Sequence, residues 1–192
     1  MKRRSPESQS ILLMTLHLVK HYRCWQNHER DRPMTSARIL LMRHAEKTGD
    51  PMDPHLSQDG YARAAKLADY IPATFGIPRF LFATSISTHS VRPIETVEPL
   101  SAKIGIPVDA TYADQDYGAL ASQLISEPRY ADAGTLIVIC WHHGNIPSMA
   151  RALRAKPGSY PDPWDAHVFN QILILNYSGD DEPEVTTLTE PF

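Results

Sequence analysis

Short apolar runs alternate with stretches of helical periodicity along most of this chain, and that alternation constrains its fold more than any other feature. Residues 38–42 (Arg-Ile-Leu-Leu-Met) read as a strand buried on both faces. Residues 56–71 then place Tyr61, Ala64, Ala65, Ala68 and Ile71 at helical spacing behind a Ser57 cap. The pattern recurs as a strand over 80–83, a helix over 91–104, a turn at Gly105-Ile106-Pro107, a helical stretch near 120–125 and a strand over 135–140. Residues 147–153 read as a helix with proline in its first turn, and 171–177 and 184–189 as strands. The proline-rich 157–164 reads as one surface loop. Strands separated by helices imply a three-layer α/β/α fold around an open, mostly parallel sheet.

Composition narrows the class further. With 42% apolar and 21% charged residues the chain falls among globular proteins. No apolar run approaches the roughly 18 residues of a membrane span, since residues 11–19 are half that and contain His17. Two cysteines, Cys24 and Cys140, are too few for a disulfide framework, so a reducing compartment, the cytoplasm, is expected. The net charge of -3 hides two unlike parts. Residues 1–33 hold seven Lys/Arg against three Asp/Glu, whereas 34–192 hold twelve against nineteen. Pro6, Glu7 and Gln9 interrupt what would otherwise resemble a secretory signal, and His21-Tyr22-Arg23 replaces a small-residue cleavage site. We therefore expect 1–33 to be a poorly ordered extension or upstream sequence, and 34–192 to be the working domain.

In such a sheet, ligands bind beyond the C-terminal ends of the strands, so polar residues directly after apolar runs matter most. The first strand ends in Arg43-His44-Ala45-Glu46-Lys47-Thr48. The second is followed by Thr84-Ser85 and then by His89-Ser90-Val91-Arg92 at a helix start, and the third by Trp141-His142-His143-Gly144-Asn145. Two arginines and two or three histidines can thus converge on one crevice.

Four of these segments, in this order, resemble the histidine phosphatase superfamily, in particular its phosphoglycerate-mutase-like branch: Arg43-His44-Ala45-Glu46-Lys47, residues 56–64, Arg92 with Thr96, and the histidine-glycine turn after a strand. The resemblance spans about residues 39–153. It implies that His44 is the nucleophile and that Arg43 and Arg92 hold phosphate oxygens. It also implies that a second histidine donates to the phosphate. The chemistry suits these residue types. A neutral imidazole offers a lone pair near neutral pH, and a guanidinium presents a planar fork of donors that matches an oxyanion.

Two histidines compete for the second role. His143-Gly144-Asn145 carries the wording of the mutase branch, whereas Ile146, Met149 and Leu153 lie four, seven and eleven residues after His142, as many members space the next helix. We expect His143 to enter the pocket and His142 to pack beside Trp141. For the proton donor the resemblance points to Asp114, a few residues before Tyr117-Gly118, with Asp116 close by. Thr48 and Ser85 are candidate phosphate donors, Glu46 stands where the family often has Glu and reads equally well as a supporting partner of an arginine, and Ser57 and Gly60 are read as a helix cap and a close-packing position.

Other chemistries fit less well. A thiolate phosphatase built on Cys140 would need an arginine to close its phosphate loop where Ile146 stands. Neither an HExxH helix nor a carboxylate cluster suggests a metal, and no Gly-rich phosphate loop or dinucleotide fingerprint is present. An acidic domain is a poor nucleic-acid binder. The expectation is a phosphatase that needs no metal or cofactor, acting on a phosphorylated small molecule or phosphoprotein through a phosphohistidine at His44. The alternatives are mutase-type phosphoryl transfer, disfavoured because only about thirty residues separate Ile104 from Gly134 where a cap would lie, and a catalytically silent binding or regulatory use of the fold.

Overall fold

A computed structural model describes residues 36–179 and 182–192. The expectation for residues 1–33 lies outside the described residues. Among the described residues six strands and four α-helices follow one another: β1 (Arg38–Arg43), α1 (Gln58–Phe75), β2 (Phe80–Ala83), α2 (Arg92–Ile104), β3 (Val108–Asp109), α3 (Tyr117–Ser126), β4 (Leu136–Trp141), α4 (Ile146–Ala152), β5 (Gln171–Asn176) and β6 (Glu184–Thr189). Every strand and helix expected from the sequence is present within a few residues. The two-residue β3 adds a short edge strand after the Gly105 turn, where Gly105 caps α2 in the left-handed region at φ 72°.

The six strands lie in the order β3-β2-β4-β1-β5-β6. β1 and β4 occupy the centre and are buried along nearly their whole length, which explains their continuous apolar composition. The pairings β1–β4, β2–β4 and β2–β3 are parallel, and β1–β5 and β5–β6 are antiparallel. The sheet is therefore mixed, parallel on one side of β1 and antiparallel on the other.

Side chains alternate across the sheet with a period of two and build two cores. Ile39 and Leu41 of β1 and Ile137, Ile139 and Trp141 of β4 face Leu120 and Leu124 of α3 and Met149 of α4. Leu40, Met42, Val138 and Cys140 face Leu67 and Ile71 of α1 and Val97 and Leu100 of α2. This gives the three layers. Residues 157–164 are irregular, as expected, but they do not lie only on the surface. Tyr160 and Trp164 are 6% and 4% exposed and join the α3–α4 core, because large aromatic area is worth more in the core than in water.

Two local devices deliver the loop after β1 to the site. The Ser57 hydroxyl caps α1 by accepting from the Gly60 amide at 3.1 Å. Gly60 itself lies so close to the Glu46 carbonyl that a Cβ there would overlap it. Among the described residues no helix is long and apolar enough to cross a membrane.

Candidate active site

The C-terminal ends of the parallel strands β1, β2 and β4 share one edge of the sheet. Because β5 runs the opposite way, it is the segment before it, not after it, that reaches the same edge. Four loops therefore surround one crevice.

His44 stands directly past the end of β1 and is 3% exposed. Its amide donates to the Trp141 carbonyl at 3.0 Å, continuing the β1–β4 pairing by one step. The ring Nδ1 lies 2.7 Å from the Ala45 carbonyl. A carbonyl only accepts, so Nδ1 carries the proton and the lone pair is on Nε2. The Ala45 amide in turn donates to the Thr96 hydroxyl at 2.9 Å, and that hydroxyl donates to the Arg92 carbonyl at 2.8 Å, tying the His44 loop to the first turn of α2.

Of the two neighbouring histidines, it is His142 whose ring lies against His44, with centroids 5.1 Å apart. The expectation that His143 enters beside the first histidine and His142 packs with Trp141 does not match this arrangement. The reason is the strand register. Arg43 pairs with Trp141, so one step further on His44 and His142 fall side by side on the same face, while Trp141 turns to the other core. The Thr84 hydroxyl is 3.5 Å from His142 Nε2. His143 is half-buried, within the electrostatic reach of Arg43 and Lys47.

Burial pushes His44 down to about 2, with the charges of His142, Arg43 and Arg92 adding to it. Burial likewise pushes His142 down to about 4, helped by Arg92. Both rings are neutral at physiological pH.

The guanidinium groups are held by backbone oxygens. Arg43, 2% exposed, donates through Nη1 to the carbonyls of Ala166 at 2.6 Å and Val168 at 3.3 Å, and its plane lies 3.7 Å from the Phe169 ring centroid. Burial and the charge of Arg92 bring it down to about 10, so it stays cationic. Arg92, the first residue of α2, donates to the carbonyls of Asp53 at 2.9 Å and His89 at 3.2 Å. In both arginines Nε is buried and has no acceptor among the described residues.

Asp114 sits in a 3-10 turn (Asp114–Asp116) fastened to the loop after β4. Asn145 Nδ2 donates to its carboxylate at 2.9 Å, and Trp141 Nε1 donates to its carbonyl at 3.0 Å. The other carboxylate oxygen is buried without a partner among the described residues, and burial raises the pKa against the opposing Asn145 bond. Asp116 is exposed. Thr48 and Ser85 are half-buried, with the Thr48 hydroxyl 3.4 Å from the Asp50 carbonyl and the Ser85 amide donating to the Tyr112 carbonyl. Glu46 accepts from Arg63 at 2.8 and 3.0 Å, and Arg63 also donates to Glu190 at 2.6 Å.

Sequence reasoning missed Thr84, Phe169 and the carbonyls of Ala166 and Val168. Thr84 was visible in its motif, one position before the favoured Ser85. The segment before β5 carried no signal at all. Cys140 is fully buried and its thiol is pushed up by burial, which suits packing rather than nucleophilic attack. Among the described residues no three His, Cys, Asp or Glu side chains are grouped so that they could hold a metal ion.

No family model and no curated protein matches this chain. Solved structures do match. A candidate phosphohistidine phosphatase, SixA from Nakamurella multipartitia, aligns with a TM-score of 0.54 at 19% identity, covering 83% of this chain and 99% of that one. A protein histidine phosphatase SixA complexed with tungstate aligns with a TM-score of 0.53 at 12% identity, covering 79% and 96%. A mycobacterial glucosyl-3-phosphoglycerate phosphatase in complex with inorganic phosphate aligns with a TM-score of 0.50 at 14% identity, covering 81% and 97%. These likenesses establish the fold.

Proposed function

The chain has the fold of the histidine phosphatase superfamily, and from that premise we propose that it is a phosphatase that hydrolyses phosphomonoesters, or phosphohistidine on a protein, through a phosphohistidine at His44. One observation carries the reading. Buried Arg43 and half-buried Arg92 each keep a buried Nε donor without an acceptor among the described residues, beside a neutral imidazole whose free lone pair is on Nε2. Buried cationic donors left unpaired are costly, and a tetrahedral oxyanion satisfies both.

In this mechanism Nε2 of His44 attacks phosphorus and the bond from phosphorus to the leaving atom breaks, the ester oxygen of a phosphomonoester or the imidazole nitrogen of a phosphohistidine. Charge on the three equatorial oxygens is stabilised by Arg43, Arg92 and His142, with Thr84 at hand to orient His142. We assign the second histidine role to His142 rather than His143. Asp114, raised by burial, protonates the leaving atom. Water then cleaves the phosphorus–nitrogen bond and regenerates His44. Thr48 and Ser85 serve as rim contacts. No metal or cofactor enters any of these steps.

Hydrolysis is favoured over mutase chemistry because the segment from Gly105 to Gly134 is used for β3 and α3, with Leu120 and Leu124 packed into the core. Its stretch around Tyr112–Asp116 meets the loops of the site, Tyr112 at Ser85 and Asp114 at Asn145, so the segment forms no separate cap to hold an intermediate while it reorients.

The test is hydrolysis of p-nitrophenyl phosphate by the wild-type chain and by His44→Ala, with and without chelator. Activity that survives chelator and vanishes in His44→Ala, together with acid-labile labelled phosphate trapped on the wild-type protein alone, supports the reading. Equal rates for the two proteins would sink it.

A further inference from the structure

The segment between α4 and β5 takes part in the site although it contributes no residue to the motifs. We propose that Phe169 is a positioning residue, which, together with the carbonyls of Ala166 and Val168, holds Arg43 so that its Nε–Nη2 edge alone faces the phosphate.

A guanidinium has five N–H donors in one plane. The Ala166 and Val168 carbonyls, at 2.6 and 3.3 Å, take the donors of Nη1. The Phe169 ring covers one face of the plane at 3.7 Å, the geometry of a cation–π contact. What remains is one edge, with Nε buried and unpartnered among the described residues and Nη2 beside it, and a guanidinium edge matches two oxygens of one phosphate. The same ring lies 6.1 Å from the His44 ring, so a single side chain orders both the oxyanion donor and the edge of the nucleophile.

The segment is built to stay in place. Buried Trp164 donates from Nε1 to the Val168 carbonyl at 3.1 Å, and the Asp165 carboxylate accepts from the His167 amide at 2.8 Å, closing a turn. On the far side the Glu190 amide donates to the Asn170 carbonyl at 2.8 Å, fixing the entry into β5. Phe169 is thus anchored from both ends, and a flexible arginine becomes a preorganised one.

This inference rests on the phosphatase reading. It is tested by measuring tungstate binding by calorimetry and p-nitrophenyl phosphate kinetics for wild type, Phe169→Leu, Phe169→Met and Phe169→Tyr, with folding checked by circular dichroism. Leu and Met, which keep bulk but lose the π face, are expected to weaken tungstate binding by roughly 10- to 30-fold, the range of a desolvated cation–π contact. They raise KM in parallel, while Tyr, which keeps the ring, recovers most of the loss. Either of the two aliphatic variants suffices if the other does not fold. Wild-type affinity in a folded Leu or Met variant overturns this inference alone, as does failure of Tyr to recover binding. A wild-type chain that neither binds tungstate nor hydrolyses the ester overturns the phosphatase reading and this inference with it.

Discussion

The imidazole of His142 stands edge-on to that of His44, at 5.1 Å between centroids and 72° between planes. The pairing of Arg43 with Trp141 in the central strands dictates it. His142→Ala is therefore expected to lower kcat for p-nitrophenyl phosphate by about 100-fold or more, the usual loss for one donor to a developing oxyanion. His143→Ala should cost far less. Side-by-side kinetics decide it, and a larger loss from His143 would reverse the assignment.

Burial also ties the site to pH. His44 and His142 are pushed down to about 2 and about 4 in the folded protein, whereas in the unfolded chain they titrate near 6.5. With folded values depressed, the unfolded state binds more protons as pH falls below about 6.5, so the stability present in full above that value is lost on acidification. The slope is about 1.4 kcal/mol per pH unit for fully buried His44. Urea denaturation at pH 7 and pH 5 should show a smaller difference for His44→Ala than for wild type. In activity, the acid limb of kcat/KM should lie below the ordinary histidine range.

Asp114 offers a test through the leaving group. A general acid matters most when the departing oxygen is strongly basic. Asp114→Asn should therefore depress hydrolysis of an alkyl phosphate far more than that of p-nitrophenyl phosphate. Proportional losses on the two esters would assign the proton to another group.

Arg63 supports the site from behind. It pairs with Glu46, next to the His44 loop, and with Glu190, whose side chain is 1% exposed. Replacement by Met leaves Glu190 buried and uncompensated, which typically costs about 3–5 kcal/mol. A guanidinium chloride melt would measure it, and a change under about 1 kcal/mol would show that Glu190 finds another partner.

Gly60→Ala tests close packing against propensity. Alanine gains roughly 1 kcal/mol over glycine in a helix interior. Here its Cβ would overlap the Glu46 carbonyl, so a net loss of about 1–3 kcal/mol is expected from thermal unfolding.

Much of the fold was legible because periodicity reports burial directly. The apolar runs of β1 and β4 and the spaced apolar residues of α1 and α2 need no partner to be recognised. The direction of β5 was not legible, since an antiparallel strand buried on both faces has the same composition as a parallel one. That direction brings residues 165–169 to the site, which is why Phe169 escaped notice. The choice between adjacent histidines depended likewise on a register that no single strand contains.

The sequence by itself determined the three-layer class, the placement of Arg43, His44 and the histidine pair at strand ends and of Arg92 at a helix start, and the oxyanion chemistry those side chains favour. These are consequences of local period and side-chain type. Only the tertiary structure decided which imidazole meets His44, which arginine edge stays unpaired and that the half-buried Asp114 carboxylate is held by Asn145. Those depend on pairings between residues far apart in the chain, where register and burial rather than local pattern set the distances and the local dielectric.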